Sequence, residues 1–262
     1  MSHDVRTPIN GIQGCVDIAD RYPDDLKLQQ EARTKIRTAS GYLLNLVNDV
    51  LDMNKLESGN IQLERKHFNL LEVLHNTNEI IRVQANESGV NYYVEDGEII
   101  HTQLIGSPVH FQQILMNIGS NAVKYNQDGG SVTVSCREVS YTDTTAEYEL
   151  TCTDTGIGMS EEFQKKAFEP FAQEGQSART KYAGPGLGLA IARKLTELQG
   201  GTLFFDSIQG KGTKFILRIP FEISAEEQEK KSHMYQNCSV EGVQVLLVED
   251  NELNMEIAEF LL

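Results

Sequence analysis

The sequence predicts an α+β chain in which a helical hairpin precedes an α/β sandwich, its helices layered on one face of a mixed sheet. Three observations carry this reading. Apolar residues recur at three- and four-residue steps as far as about Glu57. The run from Ala146 to Cys152 instead alternates strictly, as a strand with one buried face does. Glycine-rich turns then separate further helical and β-branched segments.

In the first helix Val5, Ile9, Ile12 and Val16 form one stripe, while His3 and Thr7 share a polar face well off it. Pro8 removes the hydrogen bond to the carbonyl of Asp4, which predicts a kink beside His3. Arg21 to Asp25 reads as a turn. A second helix is expected from about Leu28 to Glu57, with Ile36, Leu43, Val47 and Val50 at seam spacing and Leu44, Leu46, Leu51 and Met53 widening the apolar face. Ser58-Gly59-Asn60 stops it. The stripe is wider than one partner helix can cover, so the hairpin is expected to pair with a second copy in a four-helix bundle.

Beyond Lys66 a helix is expected over Leu70 to Glu87, strands over Val90 to Val94 and Glu98 to Ile105, and a helix from Pro108 to Tyr125. Strands follow at Ser131 to Glu138 and up to Asp154, the latter with Ala146, Tyr148, Leu150 and Cys152 inward and Glu147, Glu149 and Thr151 outward. A helix from about Gly188 to Leu198 leads to strands at Thr202 to Asp206 and Gly212 to Pro220. The expected domains are therefore 1–65 (hairpin) and 66–223 (sandwich), then a polar linker at 224–241. Residues 242–262 supply one β-branched strand and part of a helix, too little for a domain.

A net charge of −15, with no basic run to offset it, argues against nucleic-acid binding. Cys15, Cys136, Cys152 and Cys238 form no CxxC pair, which favours a reduced, cytoplasmic setting over a zinc site. No stretch reaches the roughly 20 apolar residues of a membrane span, so no membrane contact is expected of this segment. An anchor elsewhere in a parent protein is compatible with that.

Five short strings carry the chemistry. Ser2-His3-Asp4-Val5-Arg6-Thr7-Pro8 sets an imidazole beside a carboxylate, and a carboxylate holding one ring N–H makes the other nitrogen a better nucleophile. Asn117 and Asn121 stand one helical turn apart, with Lys124 and Tyr125 just beyond. Two asparagines inside a helix cost propensity and need partners if buried, which favours function over decoration. Asp154-Thr-Gly156-Ile-Gly158 closes a strand, and Phe168-Glu-Pro-Phe171 follows. Gly184-Pro-Gly186-Leu187-Gly188 opens a helix, where glycine backbone and N–H donors can approach phosphate. Arg179 and Lys181 lie just before it.

In order and spacing these strings resemble the H, N, G1, F and G2 boxes of hybrid sensor histidine kinases, a HisKA hairpin followed by a GHKL (Bergerat) ATP-binding fold. The resemblance implies ATP and Mg²⁺ as cofactors, His3 as nucleophile, Asp4 as base and Thr7 positioning water for dephosphorylation of a receiver. It implies Asn121 on Mg²⁺, Lys124 near the phosphates, Tyr125 against adenine and Asp154 accepting from the adenine amino group. Gly156, Gly158, Phe168, Phe171, Gly184, Gly186, Leu187 and Gly188 would shape the pocket and its lid, and Arg179 and Lys181 would reach the γ-phosphate. Asp4 stands where many members have Glu, and Pro185 where many have Thr.

Val245-Leu-Leu-Val-Glu249-Asp250-Asn251 resembles the first strand of a response-regulator receiver, whose acidic pair binds Mg²⁺. The expected partners are a second copy and a receiver domain, and the expected reaction is autophosphorylation of His3 in a phosphorelay. Two alternatives stand beside it. A topoisomerase- or chaperone-type GHKL ATPase would need a carboxylate where Asn117 stands, because an amide cannot act as a base. The other is a nucleotide-binding dimeric scaffold with little or no kinase activity.

Overall fold

The computed structural model describes residues 2–59, 61–174 and 186–224, with side chains from Val5 onward. They fall in one compact unit, Met1–Glu226. The remainder, Glu227–Leu262, which includes most of the expected linker and the receiver-like strand, lies outside the described residues.

Helix α1 (Ser2–Arg21) is continuous through Pro8. Helix α2 (Leu26–Glu57) begins two residues earlier than its apolar pattern suggests, because Asp25 caps it: the side chain accepts from the N–H groups of Lys27 and Leu28 at 3.1 and 3.0 Å. The hairpin leaves Val16, Leu44, Val47 and Leu51 exposed by 42–62%.

The sandwich is built on a seven-stranded sheet: β1 (Lys66–Asn69), β2 (Asn91–Glu95), β3 (Gln103–Gly106), β4 (Ser131–Tyr141), β5 (Thr145–Asp154), β6 (Thr202–Ile208) and β7 (Gly212–Ile223). The order runs β1-β3-β7-β5-β4-β2, with β6 also on β7. The β2–β4 pair is parallel and the other pairings are antiparallel. Strand β7 lies along β5 on one side, while its other side carries first β6 and then, at Glu222 and Ile223, β3.

Helices α3 (Leu70–Glu87), α4 (Pro108–Lys124) and α6 (Gly188–Leu198) cover one face, and α5 (Glu161–Gln164) is a single turn. Their apolar stripes meet the inward residues of β5 and β7 in one core that contains Ile81, Phe111, Ile114, Ile191, Leu195, Tyr148, Leu217 and Ile219. The architecture is the helical hairpin plus α/β sandwich expected from the sequence. One strand differs. Residues 98–102 are loop and β3 starts only at Gln103, because Glu138 takes over the backbone donors that a ladder would use. Its Oε2 accepts from the N–H groups of Ile100 and His101 at 2.8 and 2.9 Å, and its Oε1 lies 2.7 Å from His101 Nδ1.

The alternation along β5 holds, yet Glu149, on the outer face, is buried. It stands between Arg137 of β4 and Arg218 of β7 in the register, and it accepts from Arg137 Nε at 3.0 Å and Arg218 Nε at 2.8 Å. These two hydrogen bonds hold its carboxyl below the ordinary value of 4.5. A folded value that is lowered adds stability above the unfolded value and loses it as pH falls through the folded one. Both guanidinium groups are half exposed, so the expected cost of Glu149→Gln at neutral pH is about 1 kcal/mol. Urea unfolding should show that gap at pH 7 and its disappearance in acid.

Candidate active site

The nucleotide-box residues converge because the last two turns of α4, the end of β5 and the first turn of α6 border one cavity of about 510 Å³. Asn117, Asn121 and Lys124 enter from one face of α4, with Tyr125 at its C-cap. Lys124 Nζ lies 4.9 Å from the Tyr125 ring centroid. Burial lowers the Lys124 pKa and raises that of Tyr125, where Glu174 adds to the rise. Asp154 and Gly158 form the inner wall, and Gly186 and Gly188 line the side where α6 starts. Gly188 faces Asn117, whose Oδ1 a Cβ there would meet at ordinary contact distance, 3.4 Å.

Asp154 is buried with a purpose visible in its bonds. Its Oδ1 accepts from the N–H of Gly156 at 2.9 Å and of Thr213 at 3.2 Å, and burial pushes the carboxyl up to about 6 against those two donors. The loop after it needs glycine at Gly158, which has φ +62° and would place a Cβ 2.1 Å from the carbonyl oxygen of Ile208.

The segments that flank residues 175–185 meet at Phe171 and Gly186. Phe171, itself at φ 64°, donates its N–H to the Gly186 carbonyl at 3.0 Å, and a Cβ on Gly186 would lie 2.5 Å from the Ala172 carbonyl oxygen. Arg179, Lys181 and Gly184 lie between these ends, outside the described residues. Phe168 is turned away from the cavity: its ring packs on Phe205 at 5.3 Å and beneath Arg193. Leu187 is fully buried, and Gly156 packs against the Tyr125 carbonyl. His3 and Asp4 occupy the first turn of α1, their side chains outside the described set, and Thr7 is exposed one turn on.

The second wall of the cavity has no counterpart in the sequence motifs. Tyr42, Asn45 and Asp49 of α2 line it, and Gln113 Nε2 of α4 donates to Asp52 Oδ2 at 2.8 Å, tying hairpin to sandwich. Burial, with Asp52 nearby, pushes the Asp49 carboxyl up to about 6. Met159, Glu174 and Thr213 also line the cavity, and Glu174 accepts from the Ser160 N–H at 2.8 Å. Of these, Met159, directly after Gly158, and Glu174, shortly after Phe171, lie near a box that a sequence pattern could flag.

Residues 1–59 match the family described as His Kinase A (phospho-acceptor) domain, and residues 106–223 match the Histidine kinase-, DNA gyrase B-, and HSP90-like ATPase family. The chain belongs to the histidine kinases. Relatives of this kinase core include the autoinducer 2 sensor kinase/phosphatase LuxQ of Vibrio cholerae serotype O1, 33% identical over 99% of the chain and 30% of LuxQ. Hybrid signal transduction histidine kinase A of Dictyostelium discoideum is 34% identical over 84% of the chain and 10% of that protein. The core thus spans about a third or less of these curated relatives. Full-length ShkA in complex with AMPPNP has a similar structure, with a TM-score of 0.62 and 27% identity over 85% of the chain and 45% of ShkA. The ATPase family brings ATP binding with it. Among the described residues, no helix of the kinase core is long and apolar enough to cross a membrane.

The raised Asp154 value has a sign that can be tested. A carboxyl that titrates at 3.8 unfolded and about 6 folded adds stability that is complete below 3.8 and lost as pH rises through 6. Asp154→Asn keeps Oδ1 as acceptor and removes the titration. Relative to it, the wild type should lose roughly 3 kcal/mol between pH 4 and 7, read as the difference in urea midpoints.

Proposed function

We propose that the kinase core phosphorylates its own His3 from Mg·ATP and passes the phosphoryl group to a receiver aspartate elsewhere in a phosphorelay. The observation that carries this reading is the shared cavity: the phosphoacceptor hairpin, through Tyr42, Asn45 and Asp49, walls the same space as Asn117, Asn121, Lys124 and Asp154. Phosphoryl transfer depends mainly on positioning and charge stabilisation, which such a juxtaposition provides.

Asp154 directs Oδ1 to backbone donors and so keeps Oδ2 for the adenine amino group, while Tyr125 flanks the base. Lys124 offsets phosphate charge, and the backbone at Gly186 and Gly188 supplies donors at the start of α6. By the family likeness Arg179, Lys181 and Gly184, which lie outside the described residues, serve the γ-phosphate, with Phe171 and Phe168 on the described segment before them. The residues suit a magnesium ion, since the Asn121 amide lines the cavity beside room for phosphate oxygens and water, and hard cations take such ligands. Mg²⁺ bound there supplies charge neutralisation of the phosphates. Asp4 holds one His3 ring N–H and takes its proton as the other nitrogen bonds to the γ-phosphorus, and the bond to ADP breaks. Thr7, exposed one turn along, has in this reading the role of orienting water for dephosphorylation of a receiver.

The homodimer rests on the unpaired apolar faces of the hairpin, and the receiver partner on the likeness of residues 242–262 and on a relative named a hybrid kinase. The domain limits 1–65, 66–223, 224–241 and 242–262 follow from the same reading, with a cytoplasmic setting for the core. A non-catalytic scaffold is less favoured, because the phospho-acceptor family that matches is that of histidine kinases and the relatives are named as kinases.

Three experiments test this. With γ-labelled ATP and Mg²⁺, the wild type should retain acid-labile, base-stable label, and His3→Gln should retain none while binding ATP within about twofold of the wild type. Asp154→Asn should weaken ATP binding by about 100-fold, since it presents an NH₂ where the adenine amino group needs an acceptor. Equal labelling of His3→Gln would overturn the assignment of the acceptor. Leu44→Glu with Leu51→Glu should shift sedimentation toward monomer without lowering the helical signal; unchanged sedimentation would place dimer contacts elsewhere.

A further inference from the structure

Helix α4 separates two cavities. Asn117, Asn121 and Lys124 project into the nucleotide cavity, whereas Leu115, Ile118 and Gly119 lie on the opposite face and border a second space of about 340 Å³ between α3, α4 and the sheet. Its walls include Leu74, Val134, Cys136, Cys152 and Phe215, and the exposed Glu79 and Asp96 also line it.

Interiors pack to crystal density with few voids larger than a water molecule, so a space of this size beneath a helix is not ordinary core. Mid-sheet side chains record it: Cys136, Leu150 and Cys152 keep 6–8% exposure under the helical layer, while Tyr148 on the same face of β5 has none. Val94, in the wall, is 45% exposed. Apolar walls offer water few partners, and the volume falls within the roughly 300–1,000 Å³ of small-molecule sites.

The geometry points to a binding site, separate from the nucleotide cavity, for a mono- or bicyclic aromatic molecule carrying one polar group. A sheet face supplies a flat wall, and the two thiols supply the polarizable sulfur that aromatic rings favour. Burial pushes both thiols up to about 12, so they meet the ligand as neutral groups, not as nucleophiles. Polar pairs also line the wall, Arg82 with Glu79, Ser135 with Thr151, and Tyr92, which donates its hydroxyl to Asn78 Oδ1 at 2.8 Å; the Tyr92–Asn78 pair takes the polar substituent.

Because Phe215 borders both cavities, the test has to separate them. Titration of 5-fluoroindole, followed by ¹⁹F line broadening, is run with and without a saturating non-hydrolysable ATP analogue. The site predicts saturable broadening at millimolar probe or below that survives the analogue. Val94→Trp, at a half-exposed wall position, and Cys136→Met, on the opposite wall, should each weaken it at least about tenfold, their folding checked by cooperative melting. If the tryptophan variant does not fold, the methionine variant decides. No saturable broadening, displacement by the analogue, or undiminished binding to the folded variants would overturn the assignment. Should the analogue itself fail to bind, the fault lies with the nucleotide reading, and the two variants still decide this one.

Discussion

A single carboxyl oxygen joins the pieces on which the site depends. Asp154 Oδ1 takes N–H groups from Gly156, in the loop that follows β5, and from Thr213, at the start of β7. The paired strands and the glycine loop are thereby held in one frame at the floor of the cavity. Burial of the carboxyl is unfavourable, and its raised pKa records that cost. The two bonds fix the carboxyl at the cavity, where the proposed reading of adenine needs an acceptor.

The two faces of the sheet solve different problems. The inner face closes on α3, α4 and α6 with aliphatic and aromatic packing, and Phe221 touches Phe68 and Phe111 at 5.2 Å each where β1 and β3 join the core. Among the described residues the outer face carries no helix layer, yet it buries Glu149 by laying Arg137 and Arg218 across it. An ion triad therefore does on the outer face what a helix does on the inner one, and its strength depends on pH where the inner packing does not.

Much of this was legible in advance. The helix periods, the alternation of β5 and the positions of Asn117, Asn121, Lys124 and Asp154 all followed from local spacing, because each box sits on a single element whose geometry its own sequence sets. The strand expected from Glu98 failed for a nonlocal reason: Glu138, some 38 residues away, supplies the acceptors for Ile100 and His101. Phe168 misled in the same way. A phenylalanine beside the lid looks like a pocket residue, but Phe205 and Arg193 arrive from other elements and claim its ring.

By itself the sequence determined the architecture, the order of the boxes and the chemical type of each candidate group, since periodicity and motif are properties of neighbours along the chain. Tertiary structure alone decided that Tyr42, Asn45 and Asp49 of the hairpin wall the same cavity as Asn117, Asn121, Lys124 and Asp154, that α4 divides two cavities, and that Glu149 is buried. Those facts arise from contacts between residues far apart in sequence, and no local pattern encodes which distant surface will meet a given face.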